Sequence, residues 1–445
     1  MGKKVALHNL GCKVNAYETE AMQEMLEKEG YDIVPFKEGA DVYVINTCTV
    51  TNIADRKSRQ MLHRARKMNP DAIVVAAGCY VQAQAENGEI DPCIDIVIGN
   101  NKKKDLIPIL EQYFAEKQDI QLSDQEEGTS GVEQLQEVID INRTKEYEEL
   151  QLTKTGEHTR AYIKVQDGCN QFCTYCIIPF ARGRVRSRSM EHVLEEVREL
   201  ATHGYKEVVL TGIHLSSYGI DLEDTDLLKL ILAVHEVEGI ERIRLGSLEP
   251  RIVTEEFAKT ISSLSKMCPH FHLSLQSGCD ETLKRMNRRY SAEEYFEKCE
   301  LLRKYFEHPA LTTDVIVGFP GETEEEFEAS YAFVDKVNFY ETHIFKYSRR
   351  AGTKADRMPD QVPEQIKAKR SARMIEMGEK KQRAYEEFFQ GKQVEVLFEE
   401  KISLDGTEYW VGHTKEYVKV AMMSKKNLTN QLVTVEIGSE AKIIH

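Results

Sequence analysis

Three cysteines in the run Cys169-Asn-Gln-Phe-Cys173-Thr-Tyr-Cys176 constrain this chain more than any other feature. The C-x3-C-x2-C spacing on one loop lets three thiols face a single centre. Soft thiolates select iron–sulfur clusters or zinc. Three ligands to a four-iron cluster leave one iron open, by analogy with the vacant position of a catalytic zinc. A zinc clip completed by His203 or His214 is the alternative that spacing leaves open.

The run follows a predicted strand at 161–165, the first of a βα series. Further strands are expected at 207–211, 242–246, 271–275, 313–317 and 341–345, with helices such as 190–203 and 291–306 between them. Six units are short of the eight of a complete barrel, so the series predicts a partial (β/α)6 barrel with its site at the carboxyl ends of the strands. Thr211, Gly212, Ser247, Glu249, Ser274 and Gln276 fall at those ends, and Gly318 ends a strand in Val315-Ile-Val-Gly318-Phe-Pro-Gly321-Glu322. Each alone is equally a helix cap or a turn; together they line the expected mouth.

Upstream, near-continuous apolar runs at 4–10, 42–46, 72–77 and 94–98 alternate with helical stretches at 16–29 and 54–68. This predicts a small doubly wound parallel α/β domain. Cys12, Cys48 and Cys79 each lie just past one of these strands, at the sheet edge where open α/β sheets bind ligands. Gly11 and Gly78 precede two of them and allow tight turns. Single buried cysteines are common, but three at the same strand-end position predict a second triad. Cys93, Cys268, Cys279 and Cys299 share no such placement.

The chain of 445 residues carries 59 Lys+Arg against 74 Asp+Glu, a net charge of −15. That total argues against a simple nucleic-acid coat, yet residues 121–150 hold nine acids against Arg143 and Lys145. This stretch reads as a solvated acidic connection with an amphipathic helix near 132–141. Basic runs lie elsewhere: Arg56, Lys57, Arg59, Arg64, Arg66 and Lys67; Arg182, Arg184, Arg186 and Arg188; and Lys284, Arg285, Arg288 and Arg289. Beside two cysteine triads they favour a phosphate-rich partner. Residues 360–388 predict a basic helix, and 394–444 predict a small β-barrel with Trp410 and Tyr417 as exposed aromatics. Without a long apolar run or a signal-type start, the chain reads as cytoplasmic and without membrane contact.

In these motifs the chain resembles the methylthiotransferase branch of the radical S-adenosylmethionine enzymes. The matching stretches are Gly11-Cys-Lys-Val-Asn15, Asn46-Thr-Cys-Thr-Val-Thr51 with Lys57-Ser-Arg59, Gly78-Cys-Tyr80, 168–179, Gln276-Ser-Gly278 and Gly318-Phe-Pro-Gly-Glu-Thr323. The resemblance implies an auxiliary-cluster domain at 1–120, the acidic connection at 121–155, a radical SAM barrel at 156–388 and a TRAM-like β-barrel at 389–445. It implies two 4Fe-4S clusters, with Cys169, Cys173 and Cys176 holding the radical-generating one and Cys12, Cys48 and Cys79 the auxiliary one. S-adenosylmethionine would serve as methyl donor and radical source, with Tyr175, Thr211, Gly212, Ser247, Gln276 and Gly318 as cofactor contacts. The expected partner is a tRNA anticodon stem-loop, met by Arg56, Lys57, Arg59, Arg182, Arg184, Arg186 and Arg188. An electron donor and a sulfur source are implied as well. The first two motifs look most like the subgroup acting on N6-threonylcarbamoyladenosine. Isopentenyladenosine and a ribosomal-protein aspartate are the alternatives within the family; a metal-stabilised RNA-binding module is the alternative outside it. Thr211-Gly-Ile213 departs from the glycine-rich motif of many radical enzymes.

Overall fold

The computed structural model describes residues 2–85, 88, 90–123, 133–154 and 159–445. The first unit is a six-stranded parallel sheet of β1 (Lys4–Asn9), β2 (Asp32–Ile33), β3 (Val42–Thr47), β4 (Ile73–Gly78), β5 (Ile96–Ile98) and β6 (Leu135–Glu137), ordered β2-β1-β3-β4-β5-β6. Both faces are covered, so successive residues of one strand enter two different cores. Val42 and Val44 pack under Lys13–Lys28 and Leu106–Ser123, while Tyr43 and Ile45 pack under Asn52–Met68. That is why β3 and β4 read as unbroken apolar runs.

The helix expected near 132–141 is instead β6, paired in parallel with β5 through Ile96↔Leu135 and Ile98↔Glu137. Leu135 packs into the core on one face of the sheet and Val138 into that on the other, an edge-strand placement that local acidity hides. The following segment is not a solvated tether: Ile141, Leu150 and Leu152 are buried. Residues 124–132, part of the acidic run, lie outside the described residues.

The second unit holds β7 (Arg160–Asp167), the short antiparallel β8 (Arg186–Ser187), β9 (Glu207–Gly212), β10 (Arg242–Leu245), β11 (His270–His272), β12 (Ala310–Val317) and β13 (Glu341–Lys346). Parallel ladders β7-β9-β10 and β11-β12-β13 are joined by the bridges Ile243↔Met267 and Leu248↔Leu273 into one open arc. Outward side chains such as Val208, Leu210, Leu245, Phe271 and Val317 form the large core under the surrounding helices. The alternate positions face inward and are polar: Arg160, Lys164, Glu207, Arg244, His272 and Asp314.

After the long helix Glu364–Glu387 the chain forms β14 (Gln393–Leu404), β15 (Thr407–His413), β16 (Lys419–Met422), β17 (Gln431–Glu436) and β18 (Ala441–Ile443). They make an antiparallel curled sheet ordered β17-β14-β15-β16-β18. Its two prominent aromatics are not free. Trp410 is buried in the sheet's own core. Tyr417, with φ +75°, is stacked between His270 and His413 at 4.8 and 4.4 Å, under the guanidinium groups of Arg160 and Arg244. It fastens this sheet to the amino-terminal end of the barrel. Among the described residues, no helix is long and apolar enough to cross a membrane.

Candidate active site

The cysteine loop leaves β7 through Gly168, with φ +70°, where a Cβ would lie 1.8 Å from the Arg184 carbonyl oxygen. Only glycine lets the two backbones cross there. The Cys169 N–H then donates to the Gly183 carbonyl, and the Cys176 N–H to that of Cys173, closing the turn around the thiols. The Thr174 N–H donates to the Met286 carbonyl and Asn287 Nδ2 to that of Phe172, so the loop is held from the segment after β11. Burial pushes the free thiol of Cys169 up to about 11 and that of Cys176 up to about 12. Thiolate character at this site therefore has to come from a bound cation or metal.

Arg288 supplies such a cation. It donates from Nη1 to Cys173 Sγ at 3.3 Å, from Nε to the Tyr290 hydroxyl at 2.9 Å and from Nη2 to the Ser274 carbonyl at 3.3 Å. Sequence reading had it only as one member of a surface basic run. Tyr175 packs edge-to-face on Phe319, and burial with the neighbouring thiols holds its hydroxyl well above the ordinary tyrosine value.

Around the mouth, Thr211 and Gln276 are buried, Gly212 is partly buried and Ser247 is exposed. The Cβ that Gly212 lacks would stand 2.8 Å from Gln166 Oε1. Gln276, with φ +70°, sits astride β12, its N–H donating to Asp314 and its carbonyl accepting from Ile316. Gly318, with φ +70°, follows β12 against the helix Glu364–Glu387. A Cβ there would lie 2.3 Å from Lys367 Cγ, so the glycine admits a helix side chain. His214 bonds Ser217 through Nδ1, and burial with Arg288 and Arg251 nearby lowers its pKa to about 4. His203, half exposed, bonds its own helix end at Glu199.

The second triad stands at one edge of the parallel sheet. Cys12 caps Lys13–Lys28, Cys48 follows β3, and Cys79 begins the helix Cys79–Ala85. Gly11, with φ +110°, would bring a Cβ within 2.9 Å of Cys48 Sγ. Asn15 Nδ2 donates to the Leu10 and Thr47 carbonyls, tying two of the three loops together, and Ser58 does the same for Cys48. The three thiols lie within electrostatic reach of one another.

Arg182 joins the two α/β units beside the second triad. Its Nε donates to Cys79 Sγ at 3.1 Å and its Nη2 to Asn15 Oδ1 at 2.7 Å, while Nη1 pairs with Glu18 and Asp167 at 2.8 and 3.1 Å. Glu18 also binds Lys103 and Lys164, and these surrounding cations hold its carboxyl well below the usual range despite burial.

Three of the arginines expected to meet RNA are therefore not surface groups. Arg182, Arg186 and Arg188 are fully buried; Arg188 pairs with Glu149 and Glu196, and Arg186 bonds the Arg182 and Arg184 carbonyls. Their stretch forms β8, wedged between the two α/β units, where carboxylates from distant segments meet it. Of that run only Arg184 is exposed, its guanidinium 4.5 Å from the Phe172 ring centre. Arg56, Lys57 and Arg59 are exposed on Asn52–Met68.

An open parallel barrel with three thiols on the loop after its first strand defines a radical S-adenosylmethionine enzyme. Residues 163–334 match the radical SAM superfamily, and residues 4–99 match a family described as uncharacterized protein family UPF0004. A threonylcarbamoyladenosine tRNA methylthiotransferase of Bacillus subtilis is 41% identical over 97% of this chain and 93% of its own length. A tRNA-2-methylthio-N(6)-dimethylallyladenosine synthase of Thermoanaerobacter pseudethanolicus is 37% identical over 98% and 91%. In fold, the chain is similar to the radical SAM methyltransferase TsrM of Kitasatospora setae, with TM-score 0.54 and 15% identity over 80% of this chain and 74% of that one. The chain belongs to the methylthiotransferase family of radical SAM enzymes. The superfamily carries a 4Fe-4S cluster and S-adenosylmethionine. The donor set fits: three thiols on one loop leave one coordination position to the cofactor, and a partly buried guanidinium on Cys173 matches an anionic sulfur.

Proposed function

We propose that this enzyme methylthiolates C2 of N6-threonylcarbamoyladenosine beside the tRNA anticodon, with a second 4Fe-4S cluster on Cys12, Cys48 and Cys79. The observation that carries this reading is Arg182, which arises six residues beyond Cys176 and donates to Cys79, so that the chain leaving the first triad reaches a sulfur of the second. The donor chemistry of the second triad matches the first: three thiols and an arginine on one sulfur. When bound, the clusters and S-adenosylmethionine supply the electron, the radical, the methyl group and the sulfur.

The protein's own contribution is placement. Arg182 and Arg288 donate charge-assisted hydrogen bonds to Cys79 and Cys173, sulfurs that would ligate the clusters, and the barrel interior would receive the base away from solvent. Arg56, Lys57, Arg59 and Arg184 are the exposed cations at hand for RNA phosphates, and a cellular reductant and sulfur source complete the cycle. Two relatives named for threonylcarbamoyladenosine, at 41% identity, support this base over the dimethylallyl one. Mass spectrometry of tRNA nucleosides from cells lacking the gene tests it. The 2-methylthio form of threonylcarbamoyladenosine should vanish and return on complementation. Loss of the dimethylallyl product instead, or of neither, overturns the proposal.

A further inference from the structure

The inward cations of the barrel are nearly all matched. Arg160 pairs with Glu399, Lys164 with Glu18 and Asp167, and Arg242 and Arg244 with Glu207. Lys13 is different. It follows the triad residue Cys12 as the first residue of its helix, it is exposed to solvent, and it has no carboxylate within ion-pair distance among the described residues. Its charge interacts with Arg160, Arg244 and Glu207, and with His270, all on the barrel strands. Lys13 thus stands at the edge of the second triad, on a helix packed against β7 and β9, within electrostatic reach of the barrel's inward-facing side chains. Two of the groups it interacts with are cations, and the acid among them, Glu207, is already paired with arginine. An unmatched cation in such a place favours an anionic ligand.

The adjoining wall is polar too. His272, Asp314 and His343 come from β11, β12 and β13 and bring one ligand-type atom each to within 4.8 Å of one another. His272 Nδ1 is engaged by Thr312, and its Nε2 stands 3.4 Å from the Asp314 carboxylate. His270 feels the charges of both Lys13 and His272, so the two walls belong to one space.

Resting on the substrate reading above, we propose that Lys13 is a specificity residue whose ammonium takes the carboxylate of the threonylcarbamoyl substituent. That carboxylate lies on the N6 substituent, beyond the carbamoyl group, and Lys13 is adjacent to a ligand of the cluster from which the sulfur would come. A dimethylallyl group has no charge to offer. It would leave the Lys13 ammonium without a counter-charge, which discriminates against it more strongly than shape does.

The test uses the reconstituted holoenzyme and labelled anticodon stem-loops bearing threonylcarbamoyladenosine, its carboxyl methyl ester or dimethylallyladenosine, with binding read by fluorescence anisotropy. The wild type should bind the free acid about tenfold tighter than the ester. Lys13→Gln should abolish that difference while iron content and RNA-independent 5′-deoxyadenosine formation stay unchanged, and Lys13→Arg should keep most of it. Because the acid–ester comparison is made in unmutated protein, it does not depend on the variant folding. A wild type that methylthiolates the free-acid RNA without preferring it to the ester overturns the role of Lys13 alone, as does a preference that survives in Lys13→Gln. A wild type that methylthiolates only dimethylallyl RNA overturns the substrate reading and this role with it.

Discussion

Arg182 donates its Nε hydrogen to Cys79 Sγ across 3.1 Å, although 103 residues separate the two in the chain. The same guanidinium neutralises Glu18 of the first unit and Asp167 of the second. One buried cation therefore holds the seam between two domains and touches a sulfur of the second triad.

Arg182→Met should destabilise the apoprotein by about 2–3 kcal/mol, since it removes one cation from two buried carboxylates that Lys103 and Lys164 then balance only in part. Denaturant unfolding of the cluster-free protein checks this. Arg182→Lys should recover part of the loss but not the bond to Cys79, because an ammonium lacks the fork that reaches Asn15, Glu18 and the sulfur together.

At the other triad, Arg288 stands 3.3 Å from Cys173 Sγ. Hydrogen bonds and positive charge at cluster sulfurs stabilise the reduced form. Arg288→Gln should therefore shift the cluster midpoint to more negative potential and slow reductive cleavage of S-adenosylmethionine by about 10–100-fold. A redox titration followed by electron paramagnetic resonance reads the first effect. An unchanged midpoint would reduce Arg288 to a loop tie.

Gly11→Ala isolates the second triad. The new methyl would meet Cys48 Sγ at 2.9 Å on a backbone at φ +110°, which costs strain as well as space. Iron should fall from about eight to about four per chain, while RNA-independent cleavage of S-adenosylmethionine persists and methylthiolation is lost. Iron analysis and deoxyadenosine release on the same preparation separate these outcomes.

Much of this was legible because parallel strands buried on both faces write themselves as apolar runs, and because thiols at strand ends keep a sequence signature. Strands β1, β3 and β4 and the six barrel strands fall where the hydrophobic pattern puts them, within a few residues. What stayed hidden depends on distant partners. The alternation of Arg182, Arg184, Arg186 and Arg188 looks like a solvated basic face until Glu18, Asp167, Glu149 and Glu196 arrive from four other segments. The acidity of 121–150 likewise concealed β6, since an edge strand can carry Glu137 with only one ladder to satisfy. Asn15, which ties two cysteine loops, had its signal in plain view within Gly11-Cys-Lys-Val-Asn15.

His270 lies buried against Tyr417, and burial with Arg244 close by holds its imidazole well below the ordinary 6.5. It is neutral when folded and takes up a proton when unfolded below about pH 6.5. Its contribution is therefore complete above that value and is lost as pH falls beneath it. His270→Phe keeps the stack and removes the titration. Relative to that variant, the wild type should lose about 2 kcal/mol between roughly pH 6.5 and 5, read by calorimetry.

The corrected basic surface makes the last prediction. Exposed cations that meet phosphates release counterions on binding, and each contact adds about 0.7–0.9 to the slope of log K against log salt. Arg56, Lys57 and Arg59 share one exposed helix, so replacing all three with glutamine should weaken binding of the anticodon stem-loop and lower that slope by about two to three, with folding intact. Arg186→Gln should do the reverse. Its side chain is enclosed and bonded to the Arg182 and Arg184 carbonyls, so stability should fall while the salt slope of the folded fraction stays put. Equal slopes in the triple variant and the wild type would move the RNA footprint off the helix Asn52–Met68 altogether.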